Sequence, residues 1–209
     1  MPLHAHVLRR AAEHLSRADP VMARIVRGAG PCRLELDRGP GHYAALVESI
    51  LYQQITGKAA AAIYARLRAQ VGRARPRPED IARLTDAELR GVGLSRQKVA
   101  YLRDLTARVR GGLDLAHVAR RTDEDVIAAL TAVKGIGRWT AEMFLIFRLG
   151  RLDVLPVDDY GVRKAAQRAY RMRALPKPKR LRKVAEAWRP FRSVASWYLW
   201  HSIDNAPKV

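Results

Sequence analysis

The sequence predicts an all-α fold, and three observations carry that expectation. Apolar residues recur at three- and four-residue spacing along most of the chain. Helix-start signals precede several of these stretches, and glycine or proline punctuates their ends. The one clear apolar alternation, Cys32-Arg33-Leu34-Glu35-Leu36, is short and lies in a Gly/Pro-rich passage running from Gly28 to Gly41.

Taken in order, Leu3, Val7, Leu8, Ala11, Ala12 and Leu15 form a helical stripe that ends at Asp19-Pro20. From Tyr43 a long apolar pattern runs through Leu46, Ile50, Leu51 and Ile55, pauses near Gly57 and resumes to Leu67. Arg73–Pro78 reads as a basic loop. Thr85-Asp86-Ala87-Glu88 has capping-box form, and Thr122-Asp123-Glu124-Asp125 imitates one with Asp in the third place. Gly91-Val92-Gly93-Leu94 separates the first of these from a helix through Val99, Leu102 and Leu105, and the second leads through Val126, Ile127 and Leu130 into a glycine turn. A helix is expected from Arg138 to about Leu149, another from Asp158 or Asp159, and two more after the basic, proline-broken segment Ala174–Lys179. The last is apolar and aromatic from Phe191 to His201.

The chain has 209 residues, enough for one sizeable core or for two lobes sharing one. At 48% hydrophobic it is not a disordered sequence. Lys and Arg number 39 against 20 Asp and Glu, a formal charge of +19. Such an excess suits a polyanionic partner, because neutralised phosphates release their counterions. Charge alone does not separate a nuclease, a ribosomal protein or a membrane-surface protein, and a GC-rich genome accounts for part of the arginine. The lone Cys32 leaves no internal disulfide, no four-cysteine zinc site and no cysteine-ligated iron–sulfur cluster. Met1–His6 runs into Arg9-Arg10 without an apolar signal core, and no stretch approaches the roughly 18 uninterrupted apolar residues of a membrane helix. A soluble, cytoplasmic protein is expected, associated with the nucleoid if the source is bacterial.

The informative core is Leu130-Thr131-Ala132-Val133-Lys134-Gly135-Ile136-Gly137-Arg138-Trp139-Thr140-Ala141. Two helices join through a turn with glycines two apart, which permits positive φ and close backbone approach. The amides opening the Arg138 helix carry the positive end of its dipole and suit a phosphate. Ile136 would plug between the helices. Lys134, Gly135, Ile136, Gly137, Arg138 and Thr140 are therefore the candidate phosphate-binding residues. Such a unit grips backbone and supplies affinity without base choice.

With that hairpin, the sequence resembles the helix-hairpin-helix DNA glycosylase superfamily, nearest its 3-methyladenine DNA glycosylase II (alkylbase) branch in a short form lacking the extra N-terminal domain. The matching stretches come in family order: Leu51–Ala60, Gly91–Lys98, the hairpin, Leu155–Lys164, Trp188–Ser193 and Tyr198-Leu199-Trp200. The resemblance implies two helical lobes with a DNA-binding cleft between them, one at about 43–150 including hairpin 130–141 and one from about 1–42 plus 151–209. It implies monofunctional hydrolysis of the N-glycosidic bond of alkylated bases of the 3-methyladenine and 7-methylguanine type, in base excision repair. The partner would be double-stranded DNA holding a damaged base, and the protein a monomer.

Such hydrolysis develops oxocarbenium character on the deoxyribose, which a carboxylate stabilises while it orients or deprotonates water. The family carries its essential Asp at the start of the helix after the hairpin, so Asp158 and Asp159 both qualify. Asp159 is chosen because Val162 stands three residues on, where Asp158 would have Gly161; Asp158 is the alternative and the expected helix cap. The superfamily's lyases use a lysine nucleophile at the position of Trp139, so strand cleavage is not expected. Trp139, Tyr160 and Trp200 match base-pocket positions, with Met143 where relatives can carry a further aromatic. Gln54, or alternatively Gln53, matches the side chain that fills the gap left by a flipped base. No catalytic metal or organic cofactor is implied. A structural Na+ or K+ at the carbonyls of Thr131, Val133 and Gly135 is. Two rival readings stand beside this one: a non-catalytic hairpin module that only binds DNA, and a bifunctional glycosylase/lyase.

Overall fold

A computed structural model describes residues 5–37, 39 and 41–203. Leu3, with the rest of the N-terminal Met1–His4, and Pro40 of the Gly/Pro passage lie outside the described residues. The elements are α1 (Ala5–Ala18), α2 (Pro20–Ala29), α3 (His42–Tyr52), α4 (Gly57–Val71), α5 (Pro78–Arg83), α6 (Asp86–Gly91), α7 (Arg96–Arg110), α8 (Asp123–Thr131), α9 (Arg138–Met143), α10 (Tyr160–Ala169), α11 (Pro178–Ala185) and α12 (Arg192–His201). Short 3-10 turns occupy Val118–Arg120 and Glu186–Trp188, and a π-helical turn, Phe144–Arg148, continues α9. No strand occurs among the described residues, and the fold is all-α. The Cys32–Leu36 alternation survives only as extended chain: Leu34 is buried between exposed Arg33 and Glu35, and the Asp37 amide donates to the Phe147 carbonyl at 2.8 Å. No described helix is long and apolar enough to cross a membrane.

The chain forms two compact units, residues 38–141 and residues 1–37 with 142–209. The division falls inside α9, between Ala141 and Glu142. In the first unit α3 is the central element, with Tyr43–Val47, Ile50 and Leu51 buried on all sides; each fully buried aliphatic side chain contributes about 1.5–3 kcal/mol. Helices α4 and α7 pack on it, and α5 and α6 pack on α7. The Arg103 guanidinium on α7 ties these together, donating to the carbonyls of Ile81 and Leu84 and pairing with Asp86. Caps fall where the sequence signals them. The Thr85–Glu88 box closes in both directions, and Thr122 caps α8 through the Asp125 amide while its hydroxyl donates to the Asp125 carboxylate at 2.6 Å.

In the second unit α1, α2 and α10 pack against the apolar α12. Helix α1 presents Leu8, Ala11 and Leu15, the stripe its spacing predicts. Asp19-Pro20 is more than a terminator. Asp19 is the N-cap of α2 and Pro20 its first residue, where proline's fixed φ and missing N–H cost nothing.

Candidate functional site

The hairpin belongs to the 38–141 unit. Val133 and Ile136 are buried, and the Ile136 amide donates to the Val133 carbonyl at 3.1 Å to close the turn. Gly135 has φ +82°, and a Cβ there would lie 2.2 Å from the Tyr101 ring, so both conformation and packing require glycine. A Cβ on Gly137 would meet open space; nothing inside the protein asks for glycine at that position. Two side chains from elsewhere brace the turn. The Asp104 carboxylate accepts the Lys134 amide and the Arg108 guanidinium, each at 2.8 Å. Burial pushes the Asp104 pKa up, but the Lys134 amide and Arg108 outweigh it and leave the carboxyl below its ordinary value. The Gln53 side-chain amide donates to the Gly135 carbonyl at 2.8 Å.

Among the candidate phosphate-binding residues, Lys134 projects an exposed side chain while its amide is turned to Asp104. Arg138 is exposed and forms a forked pair with Glu124 at 2.7 and 3.2 Å, and Thr140 is half-buried. The first amides of α9 have no intrahelical acceptor, as at any helix start. Of the hairpin carbonyls, that of Val133 accepts the Ile136 amide and that of Gly135 the Gln53 side-chain amide.

The two glutamines after α3 have different surroundings. Gln53 is half-buried and holds the hairpin. Gln54 is exposed and has φ +58°, the left-handed region that a non-glycine residue enters only at a cost. Just before them, the Lys98 ammonium donates to the Leu51 carbonyl, and burial pulls its pKa down. These contacts fix the end of α3 and the chain that turns out of it. Trp139, at the position of the lyase lysine, is 43% exposed on α9 in the same unit.

The carboxylates lie in the other unit, and here one expectation is corrected. The cap of α10 is Asp159, not Asp158: its Oδ1 accepts the Val162 amide at 2.7 Å. Asp158 is exposed, whereas Asp159 is 8% exposed. The Asp159 Oδ1 also receives the indole N–H of Trp200 at 2.8 Å. Trp200 is 1% exposed and stacks on Phe147 from the π-helical turn, with ring centroids 5.9 Å apart and planes 26° apart. Tyr160, next to Asp159, is 63% exposed, and Met143 is half-buried. Thus Asp159, Trp200 and Phe147 form one contact set, while Gln54, Trp139 and the hairpin turn belong to the 38–141 unit.

Several supporting residues escaped the sequence reading. The loop leading to Asp159 is pinned by Ser193, whose hydroxyl accepts the Val154 amide at 2.9 Å and donates to the Arg151 carbonyl at 2.7 Å. Asp153 on that loop receives the guanidinium of Arg192 at 2.7 and 3.0 Å and that of Arg189 at 2.9 Å. These partners explain why Trp188–Ser193 stood out as a motif; Asp153, an ordinary loop carboxylate, gave no signal. A second buried aspartate, Asp19, caps α2 and gathers Tyr170 and Trp188.

An all-α chain with a glycine hairpin and a buried aspartate capping the next helix defines the helix-hairpin-helix class of DNA glycosylase folds. The family model described as HhH-GPD superfamily base excision DNA repair protein matches residues 47–190, and the chain belongs to that family. It is similar to DNA-3-methyladenine glycosylase 1 of Schizosaccharomyces pombe, at 35% identity over 92% of this chain and 86% of that protein. Among solved structures it resembles a DNA-3-methyladenine glycosidase from Bacillus halodurans, with a TM-score of 0.85 and 38% identity over 92% of this chain and 88% of the other. It also resembles the Schizosaccharomyces pombe 3-methyladenine DNA glycosylase in complex with abasic DNA, with a TM-score of 0.78 and 33% identity over 96% and 99%.

Proposed function

We propose that this protein is a monofunctional DNA glycosylase that hydrolyses the N-glycosidic bond of alkylated bases of the 3-methyladenine and 7-methylguanine type in base excision repair. The observation that carries the reading is the Asp159 carboxylate, buried at the head of the first helix after the hairpin and held by Val162 and Trp200. The relatives' names supply the lesion class.

In this reading double-stranded DNA is gripped at the hairpin by Lys134, Gly135, Ile136, Gly137, Arg138 and Thr140. The opening amides of α9 face a phosphate, and the missing Cβ of Gly137 admits the strand. A monovalent cation, when bound, would supply positive charge toward that phosphate, held by the carbonyls of Thr131, Val133 and Gly135. Gln54 is assigned to the gap left by the flipped base: it is exposed, and its strained backbone follows directly on the braced Gln53. Gln53 is assigned to bracing. Trp139, Tyr160 and Met143 are assigned to the base pocket, where an aromatic face attracts a cationic alkylpurine. Trp200, the remaining pocket candidate, is 1% exposed and is assigned to Asp159 instead.

The reaction follows from charge. The C1′–N bond breaks, its electron pair leaves with the alkylated base, and that base departs neutral. Positive charge grows on the sugar, beside Asp159, which stabilises it. Water attacks C1′, and its proton passes to Asp159, leaving an abasic site. Trp139 supplies no amine for a Schiff base, so the strand stays intact. The protein would work as a monomer in the cytoplasm, at the nucleoid in a bacterium.

The test is release of 3-methyladenine and 7-methylguanine from alkylated duplex DNA. Release by the wild type without strand cleavage, and its loss in Asp159→Asn, are expected. No release by the wild type, or undiminished release by Asp159→Asn, overturns the proposal. A covalent adduct trapped by borohydride would restore the lyase reading.

A further inference from the structure

The Asp159 carboxylate is held from two directions. As an N-cap it accepts the Val162 amide on Oδ1 at 2.7 Å, from within its own helix. The Trp200 indole N–H reaches the same oxygen at 2.8 Å from α12, forty-one residues away. Trp200 is itself immobilised. Its ring is 1% exposed, stacked on Phe147, and edged against Gly161. A Cβ on Gly161 would stand 3.0 Å from Trp200 Cδ1, 3.1 Å from Asp159 Oδ1 and 3.3 Å from Trp200 Nε1. The residue between the cap and its acceptor amide is therefore small at the spot where indole and carboxylate meet.

Resting on the reading of Asp159 as the catalytic carboxylate, we infer that Trp200 is a positioning residue. Its indole N–H, seated by Phe147 and given room by Gly161, fixes the orientation in which Asp159 meets the sugar and the attacking water. A ring so enclosed serves the carboxylate rather than offering a face to a flipped base. The π-helical turn enters the site through this chain, because it brings Phe147 under the indole.

The experiment measures single-turnover release of 7-methylguanine from duplex DNA and, separately, affinity for abasic-site duplex. Trp200→Phe keeps an aromatic ring and removes the donor. Release is expected to slow roughly tenfold or more, with abasic-site affinity unchanged within about twofold. In an Asp159→Asn background the same substitution is expected to slow the residual rate no further, because the two residues act as one unit. Gly161→Ala keeps both partners but crowds their junction, and is expected to slow release about threefold or more at unchanged affinity.

Wild-type release by Trp200→Phe overturns the inference. So does an equal slowing of Trp200→Phe in both backgrounds, or a loss of abasic-site affinity that accounts for its rate. If Trp200→Phe does not fold, Gly161→Ala decides, and a wild-type rate there overturns it. A wild-type rate in Asp159→Asn alone would instead remove the catalytic assignment of Asp159.

Discussion

Asp19 and Asp159 are built alike, and only Asp159 is proposed to take part in the reaction. Each is buried, at 7% and 8% exposure, each caps a helix of the same unit, and each receives a tryptophan indole N–H. Asp19 is bonded through both oxygens. Its Oδ1 accepts the amides of Val21 and Met22 at 2.8 and 3.2 Å, and its Oδ2 accepts the Tyr170 hydroxyl and, at 3.2 Å, the Trp188 indole. Burial and the neighbouring carboxylate push the Tyr170 pKa far up, so the phenol stays a donor throughout the physiological range. At Asp159 the Val162 amide and the Trp200 indole converge on the same oxygen. The residues that follow do not differ in exposure: Pro20 after Asp19 and Tyr160 after Asp159 are both exposed. Burial, capping and an indole partner thus do not mark a catalytic carboxylate. What sets Asp159 apart is its place at the head of the first helix after the hairpin, on which its proposed role rests.

This contrast can be broken by substitution. The largest expected effect is Asp159→Asn, which keeps a good cap but removes the charge. Base release in single-turnover assays should fall about 10³-fold, with the melting temperature nearly unchanged. Asp19→Ala should do the reverse, losing about 3 kcal/mol of stability in denaturant unfolding through the lost cap and the stranded donors. Its release rate per folded molecule should stay at the wild-type value; a rate loss as large as that of Asp159→Asn would erase the distinction. Gln53→Ala should cost about 1 kcal/mol and weaken abasic-site DNA binding about fivefold, without slowing saturated release. Trp188→Phe, the counterpart of Trp200→Phe, should cost about 1 kcal/mol and leave release untouched.

The hairpin turn and the helix caps were legible because their signals are local. The hairpin announces itself through two glycines and flanking apolar residues within twelve positions, and the Thr85 and Thr122 caps through a spacing of three. The choice of Asp159 over Asp158 rested on Val162 three residues on. That offset is the reach of an N-cap side chain to its acceptor amide, so the feature that pointed to catalysis is also the cap, and it could have prevented the assignment of the cap to Asp158. What could not be read depends on distant partners. Gln53 and Gln54 differ because Gly135, eighty-two positions away, engages one of them. Helix α2 was hidden by reading Asp19-Pro20 as an end when it is also a beginning. The π-helical turn has no signature in Phe144-Leu145-Ile146-Phe147-Arg148, which reads as ordinary apolar helix.

The π-helical turn also sets the direction in which Phe147 points. At its end the Leu149 amide bonds back five residues to Phe144, where an α-helix would reach back four. The segment therefore holds one residue more in its turn than an α-helix would. Removing a single residue ahead of Phe147 within the turn would rotate Phe147 by about 100° about the helix axis. Phe147 would then leave the indole it supports, so a one-codon change in length would reach a carboxylate that Phe147 holds only through Trp200.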